Sequence, residues 1–407
     1  MEPDPQQQSV SQKGKTPRKR TPRRNVPMVL KIAYRNLFHD RLSFFVTIVG
    51  IIFSVVLVAI QTGIYLGSQK KISAILDAAP ADIWIVPPGT KSYDDPTPLS
   101  GRERYLALAT PGVANVEDMV VSFARWRKIE TGTTNVRSTN ILIIGSTPES
   151  DAPLPWNIIE GSRKALEAPN TVAIDQSYFP ELGIVALNEF GEVNGVRVKV
   201  VASTKRVRSF TTLPFVFTNI EQARRLTGTN QNQATYQRVL LVPGANVEKV
   251  KADLAARLPD TDILTQEEFR KKSQNYWLFQ TGAGAALIAG ALLGLIVGVV
   301  IVAQTLYSST KDHINEFATL RALGAGAKYI VKVILFQAII SGLIGYGLGM
   351  SLASFVIWRA QDSKLGVIMT PSLAMTLFAI TMGMCIFAAV SAIIKVIRID
   401  PAVVFSR

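Results

Sequence analysis

Four stretches of the chain carry no Asp, Glu, Lys or Arg: Leu42–Gln69, Ser273–Thr310, Val333–Trp358 and Leu365–Ile394. Each holds about 20 apolar residues, enough at ~1.5 Å per residue to cross a hydrocarbon core of ~30 Å. The pattern predicts spans at 42–66, 278–307, 332–358 and 371–394. A short loop, 359–370, joins the last two. Ahead of the first span, 28–41 repeats Leu30, Ala33, Tyr34, Leu37 and Phe38 at helical spacing beside Lys31, Arg35 and Arg41. That reads as an amphipathic helix in the membrane interface or as a helical extension of the span.

Between the first and second spans, 67–277 changes period. The runs at 82–89, 140–148, 170–175, 195–203, 213–219 and 237–244 have the β-branched content of strands and end in Pro, Gly or Asn. Residues 220–228 and 246–258 read as helices, the latter with Val247, Val250, Leu254 and Leu258 on one stripe. Strands and helices interleave, which predicts α+β or α/β packing. The expected fold is therefore an α-helical membrane protein. It has four transmembrane helices in a 1+3 order and a large α+β extracytoplasmic domain between helices 1 and 2.

Composition agrees: the 407 residues are 48% hydrophobic, too apolar for an ordinary soluble enzyme and too polar for a bare bundle of spans. Before the first span, ten Lys and Arg stand against Glu2, Asp4 and Asp40. The positive-inside rule places that end in the cytoplasm. Four crossings return 395–407, with Lys395, Arg398 and Arg407, to the same side, and 308–331 lies there too. The expected location is the cytoplasmic (inner) membrane, multi-pass, with both termini cytoplasmic and the extracytoplasmic domain periplasmic. The first span runs on without an A-x-A cleavage pattern and reads as an anchor. The net charge of +14 sits mostly on the cytoplasmic pieces. It implies contact with anionic membrane lipid, not nucleic acid. Residues 1–27 read as a disordered basic tail. The single cysteine, Cys385, falls inside the fourth span, so the external domain has no disulfide to rely on.

Catalytic chemistry is sparse. No span carries a central acid or base, which leaves a proton or ion relay without candidates. "QKGKT" (12–16) mimics the end of a phosphate loop, but Ser9 stands where the motif needs its first glycine, and Pro17 follows. His39 and His313 lack a second ligand at metal spacing. The external acids Asp175, Glu181, Glu189 and Glu192 have no spacing that separates a hydrolytic pair from a solvated face. The reading is a non-catalytic subunit with no catalytic, cofactor-binding or metal-binding residues of its own.

Two features remain. Gly290, Gly294 and Gly298 fall four apart on the second span, where small residues let helices approach closely within or between subunits. Gly345 and Gly349 repeat the spacing on the third. Between those spans, "KDHINEFATLRALGA" (311–325) places Ile314, Phe317, Leu320 and Leu323 every three residues and ends on Gly324. A short amphipathic helix follows, with Phe317 and Leu320 as apolar plugs and Glu316 and Arg321 facing water or a partner.

"NEFATLRALGA" resembles the E-[IF]-x-x-[LM]-R-A-[LI]-G-A signature that follows the second span of FtsX/MacB-type ABC transporter permeases, a group that includes DevC-like exporters. The similarity extends over "AYRNLFHDRLSFFVTIVGI" (33–51), the 1+3 topology and the closing "RIDPAVVF" (398–405). In the external domain "IIGSTP", "WNIIEG", "VAIDQSYFPELGI", "VRVKVVAST" and "VFTNIEQARRL" follow the family order. Ala318 stands where the family often has Gly, and "LGIVALNEFGEV" lacks its usual Leu-Gly-x-x-x-Gly-Asp step. The resemblance implies a homodimer docked on a separate ABC ATPase subunit, where ATP and Mg reside. Glu316, Phe317, Leu320, Arg321 and Gly324 are the implied coupling residues, with Asp400 and Pro401 as a second cytoplasmic contact. It implies mechanotransmission: hydrolysis rocks the paired helices and moves the external domain. The expected outcome is export of a lipid, glycolipid or hydrophobic compound, with a periplasmic adaptor and an outer-membrane channel. The alternative is an FtsX-like signalling scaffold that controls an external cell-wall hydrolase.

Overall fold

A computed structural model describes residues 28–128, 138–148, 150–152, 154–313, 316, 327–360 and 366–397. In chain order the helices are α1 (Met28–His39), α2 (Arg41–Ile72), α3 (Ala74–Ala78), α4 (Glu103–Leu108), α5 (Phe179–Leu182) and α6 (Ile220–Thr227). After these come α7 (Val247–Arg257), α8 (Gln266–Asn275), α9 (Ala283–Asp312), α10 (Ala327–Ala360) and α11 (Pro371–Ile397). The strands are β1 (Ile83–Val86), β2 (Val113–Lys128), β3 (Ser138–Ser146), β4 (Ile158–Glu160), β5 (Thr171–Asp175), β6 (Phe190–Val193), β7 (Val196–Thr204), β8 (Phe215–Asn219), β9 (Tyr236–Leu241) and β10 (Asp262–Thr265). Helices α2, α9, α10 and α11 are long and apolar enough to cross a membrane. All the described strands lie between the first two of them.

Helix boundaries follow local chemistry. Asp40 separates α1 from α2, its carboxylate accepting from the Ser43 amide at 3.1 Å, as an N-cap does. The second span departs from its expected start at 278. Tyr276–Gln280 forms one wide π turn, and α9 begins only at Ala283. The break has a backbone cause: Gly282 sits at φ +79°, a conformation that ends a right-handed helix. The third and fourth helices outrun their apolar windows by a few residues at one or both ends.

The strands form one mixed sheet in the order β10-β1-β9-β2-β3-β8-β5-β7-β4. β6 pairs with both β2 and β7, so the pairings β2-β3-β8-β5-β7-β6 close a ring. β3 runs parallel to β8 and β5 parallel to β7; the other pairings are antiparallel. Both faces are covered, which is why β1 (IWIV) and β5 (TVAID) are buried at every position, β1 reading as a continuous apolar run and β5 as Val172–Ile174 between polar ends. Even positions of β2 and odd positions of β3 (Val120, Trp126, Ile141, Ile143) pack with Ile220, Ala223 and Leu226 of α6. The opposite positions (Met119, Val121, Leu142, Ile144) join Ile75 and Leu76 of α3 and Phe269 of α8. Two glycines permit this closeness. A Cβ on Gly145 would stand 2.2 Å from that of Ala223, and one on Gly191 would enter the Trp126 ring. The Trp126 indole donates to the Leu182 carbonyl at 3.0 Å.

β2 is the longest strand and pairs with three others, yet its sequence, VANVEDMVVSFARWRK, alternates poorly. Its acids are neutralised by residues distant in the chain. Arg224 of α6 lies 3.1 Å from Asp118, which also accepts from the Gln237 amide at 3.2 Å. Arg238 of β9 lies 2.5 Å from Glu117. A buried carboxylate persists in a core only with such partners.

The chain divides into two compact units. One comprises residues up to 48, 300–344 and from 385 onward; the other comprises 49–299 and 345–384, with the whole sheet in it.

Candidate coupling site

The first unit holds the seat of the sequence-predicted coupling segment. Glu316 is helical and exposed. Phe317, Leu320, Arg321 and Gly324 lie outside the described residues, as do Asp400, Pro401 and the tail 1–27. The segment's two ends are placed. On one side α9 closes with His313, buried, whose Nδ1 lies 2.9 Å from the Ser309 carbonyl. On the other, Tyr329, Ile330, Val333 and Phe336 at the start of α10 pack on Ile32 and Ala33 of α1. The His39 ring meets His313 edge-on at 6.2 Å. So α1 touches both ends of the connection. Tyr34 and Phe38 of α1, both exposed beside Arg35, stack in series with Phe44 of α2 at 4.4 and 4.9 Å. Rings of that kind suit a lipid headgroup layer.

In the second unit, α2 is gripped along two seams. Cβ atoms built on Gly290, Gly294 and Gly298 of α9 would approach Gln61, Leu57 and Ser54 to 2.7, 2.9 and 2.5 Å. Ser54 donates to the Gly294 carbonyl at 2.9 Å. Gly345 and Gly349 of α10 face Ile51 and Val55 in the same way, at 2.5 and 2.9 Å. A third approach, unread in the sequence, lies at the outer end of α2. Gly63 and Gly67 leave room for the backbone of 366–368, and the Ile368 amide donates to the Gly63 carbonyl at 3.1 Å.

Past the seams, α2 passes through α3 into β1, while α8 leads through the π turn into α9. Polar cross-ties join these two stalks. Gln274 donates to the Gln69 carbonyl at 3.1 Å, and Gln266 donates to the Leu76 carbonyl at 2.6 Å. The Gln266 carbonyl oxygen accepts from the Trp84 indole at 2.6 Å. Arg270 pairs with Asp77. The stretch 92–94 holds the root of α9. The Tyr93 amide donates to Ser273 Oγ at 3.1 Å, and the Trp277 indole donates to Asp94 at 2.7 Å and Ser92 at 3.0 Å. Phe210, from the β7–β8 loop, stacks edge-on against Trp277 at 5.5 Å. Burial pushes the phenols of Tyr93 and Tyr236 well above their ordinary range, so both stay neutral donors at any physiological pH. The Tyr236 hydroxyl donates a hydrogen bond to the Tyr93 carbonyl at 2.8 Å.

Sequence reading singled out the glycines of α9, which the structure packs on α2, and missed the stalk ties; its coupling segment lies largely outside the described residues. The available signal was the aromatic cluster Tyr276, Trp277 and Phe279 at a span's edge; the polar partners give none, because Gln, Asp and Ser are ordinary surface residues. The external acids prove scattered. Asp175 is buried, caps the turn at Ser177 and accepts from the Val207 amide at 2.8 Å. Glu189 accepts from the amides of Val185 and Ala186, and Glu192 lies 3.8 Å from Arg127. Among the described residues no three His, Cys, Asp or Glu gather as a metal site. The arrangement is suited to conveying force: two stalks, tied to each other, are rooted in one domain.

The family model for a MacB-like periplasmic core domain matches residues 44–257, and that for an FtsX-like permease C-terminal region matches 288–401. An uncharacterized ABC transporter permease of Mycobacterium tuberculosis (strain H37Rv) is 23% identical over 380 residues, covering 93% of this chain and 99% of the relative. Another, from Methanocaldococcus jannaschii, is 24% identical over 189 residues, covering 44% of this chain and 46% of the relative. Among solved structures, the periplasmic region of MacB from Actinobacillus actinomycetemcomitans covers 50% of this chain and 98% of its own length, at 11% identity and a TM-score of 0.34.

Proposed function

This chain belongs to the FtsX/MacB-type ABC transporter permeases, and from that premise we propose that it is the force-transmitting subunit of an exporter. Membership of an ABC permease family implies an ATPase partner. The proposed sequence begins when that partner, carrying ATP and Mg, docks on 311–325 at the cytoplasmic face of the inner membrane. Phe317 and Leu320 seat as plugs, Glu316 and Arg321 pair with its charges, and Gly324 ends the helix. Asp400 and Pro401 add a second contact. Movement of α9 and α10 then passes along the stalks into the periplasmic domain, with two copies of the chain working as a dimer. The cargo is a lipid, glycolipid or hydrophobic compound, handed to a periplasmic adaptor and an outer-membrane channel.

One observation carries the reading: α2 leads through α3, and α9 through one π turn and α8, into the external domain, and the two stalks are tied to each other by Gln274, Gln266 and Arg270. A rigid connection of two elements that share a load is what a mechanical relay requires. The lack of central acids or bases in the four apolar helices supports driving force from outside the chain. The test is a double variant, Phe317→Asp with Arg321→Glu. It is expected to abolish co-purification with the ATPase while membrane insertion stays intact, since a buried aromatic and an Arg dominate such contacts. Undiminished co-purification defeats the assignment.

A further inference from the structure

The external domain has a cleft of about 590 Å³ that the coupling reading does not use, lined among others by Phe123, Arg125, Arg127, Asn140, Glu192 and Leu213. Its size falls in the range of small-ligand sites, about 300–1,000 Å³. The strand registers explain how it arises. Phe123, Arg125 and Arg127 are alternate residues of β2, so they share one face and stand roughly 6.6 Å apart in succession. Their parity is opposite to that of Val120 and Trp126, which pack on the α6 side. Nearer the middle of β2 the same face is filled by Met119 and Val121 of the core. Toward the β2–β3 hairpin no element covers it among the described residues, and the face opens.

Pairing extends the face sideways. Arg125 lies opposite Asn140 of β3, Arg127 opposite Glu192 of β6, and Glu192 opposite Arg197 of β7. Phe190 lies opposite Lys199, and the Arg197 guanidinium sits 4.0 Å from the Phe190 ring centre. Arg125 and Arg127 thus line the cleft against Glu192, Arg197 and Lys199 follow in register on β7, and two phenylalanines, Phe123 and Phe190, are exposed on these strands. Arg127 and Glu192 are 3.8 Å apart, too long for a formed hydrogen bond and both partly solvated. The Arg125 backbone is held on both sides by Asn194, with amide to Oδ1 at 3.0 Å and carbonyl to amide at 3.1 Å. Its guanidinium has no acid or acceptor among the described residues. A fixed backbone carrying an exposed planar donor, beside a second one loosely paired to Glu192, is suited to a phosphate or carboxylate taken bidentately. Exposed Phe123 and half-buried Leu213 make the adjoining wall apolar.

We infer that this cleft binds an anionic amphiphile: a phosphate- or carboxylate-bearing headgroup between Arg125 and Arg127, with the first part of its apolar portion against Phe123 and Leu213. The inference is independent of the coupling site, and its test leaves that site untouched. The full chain in phosphatidylcholine nanodiscs is titrated with lysophosphatidic acid, with lysophosphatidylcholine and inorganic phosphate in parallel. Lysophosphatidic acid is expected to bind at least about tenfold tighter than either, the scale of one charge-assisted contact. Arg125→Ala and Arg127→Ala should each forfeit about that factor. Phe123→Ala should weaken the lysolipid and leave phosphate unchanged, and Glu192→Gln should strengthen both anions. Asn140→Asp, an exposed polar exchange, provides a second route to the same loss should an arginine variant fail to fold. Equal binding of lysophosphatidylcholine overturns the inference, as do unchanged affinities in the variants. Equal binding of inorganic phosphate marks an adventitious anion only. Arginine-dependent binding of poly-glutamate with no binding of lysophosphatidic acid makes the face a protein-docking surface and overturns it likewise.

Discussion

The external domain and the long helices reach close packing by opposite means. In the domain, bulk does the work: Trp84, Trp126, Tyr178, Tyr236, Phe217 and Phe269 are all fully buried, and charged pairs are enclosed with them. Along α2, what matters is the absence of side chain, since Gly290, Gly294, Gly298, Gly345 and Gly349 admit Gln61, Leu57, Ser54, Ile51 and Val55. The solvent explains the contrast. Water drives large apolar groups together, about 25 cal/mol per Å² buried. Lipid tails are as apolar as leucine, so helices in a bilayer gain only from close contact and hydrogen bonds. A relay between the two regions must therefore change its chemistry at the boundary. It does so at the stalks, where neither glycine nor bulk predominates and polar ties from Gln69, Gln266, Gln274 and Arg270 take over.

Three substitutions probe that contrast. The largest effect is expected from Asp118→Ala, which leaves Arg224 of α6 buried and without its closest carboxylate. Loss of one partner of a buried pair costs about 3–5 kcal/mol, so a sharply lower melting temperature of the external domain is expected. A shift below about 1 kcal/mol would mean the pair is well hydrated and the two regions differ less than described. Next is Gly298→Leu, where even a Cβ meets Ser54 and Met384 at 2.5 and 2.6 Å. Overpacking of this kind costs about 1–3 kcal/mol. Gly347→Leu is the matched control, because nothing lies within 4 Å of a Cβ there. Equal thermal stability in detergent for both variants would remove the seam.

The smallest effect belongs to the stalk. Thr265 and Glu268 form a capping box at the start of α8, and Thr265→Ala should cost about 1 kcal/mol. Burial pushes the Glu268 carboxyl up, but hydrogen bonds from Lys251 and Thr265 outweigh it and hold the group below its ordinary value. Its contribution is present above the unfolded value, about 4.3, and is lost as pH falls through the lower folded value. The difference between parent and variant should accordingly shrink in acid melts; a gap that widens there reverses the sign.

Much of this was legible along the chain because it is local. The runs 140–148 and 170–175 become β3 and β5, since continuous β-branched residues bury on both faces without help from elsewhere. Helix α7 announces itself by its stripe of Val247, Val250 and Leu254, and the structure adds the Asn246 cap at its start. β2 escaped notice for the opposite reason. Glu117 and Asp118 side by side, followed by the buried run Met119–Val121, interrupt its alternation, and what makes the acids tolerable is an arginine 106 positions away for Asp118 and 121 for Glu117. β6 and β10 escaped for want of length, each being four residues that close an arrangement set by longer strands.

The sequence by itself determined that four helices are apolar enough for a membrane and that a mixed domain separates the first from the rest. Each residue of a span must be acceptable to lipid on its own account, so composition within a short window suffices. Only the tertiary structure decided which helix the glycines admit, which residues bind one stalk to the other, and that Phe123, Arg125 and Arg127 face an open cleft. Those facts depend on register and on partners far along the chain. A one-residue shift in the pairing of β2 would turn every one of its side chains to the opposite face, and no local pattern records that choice.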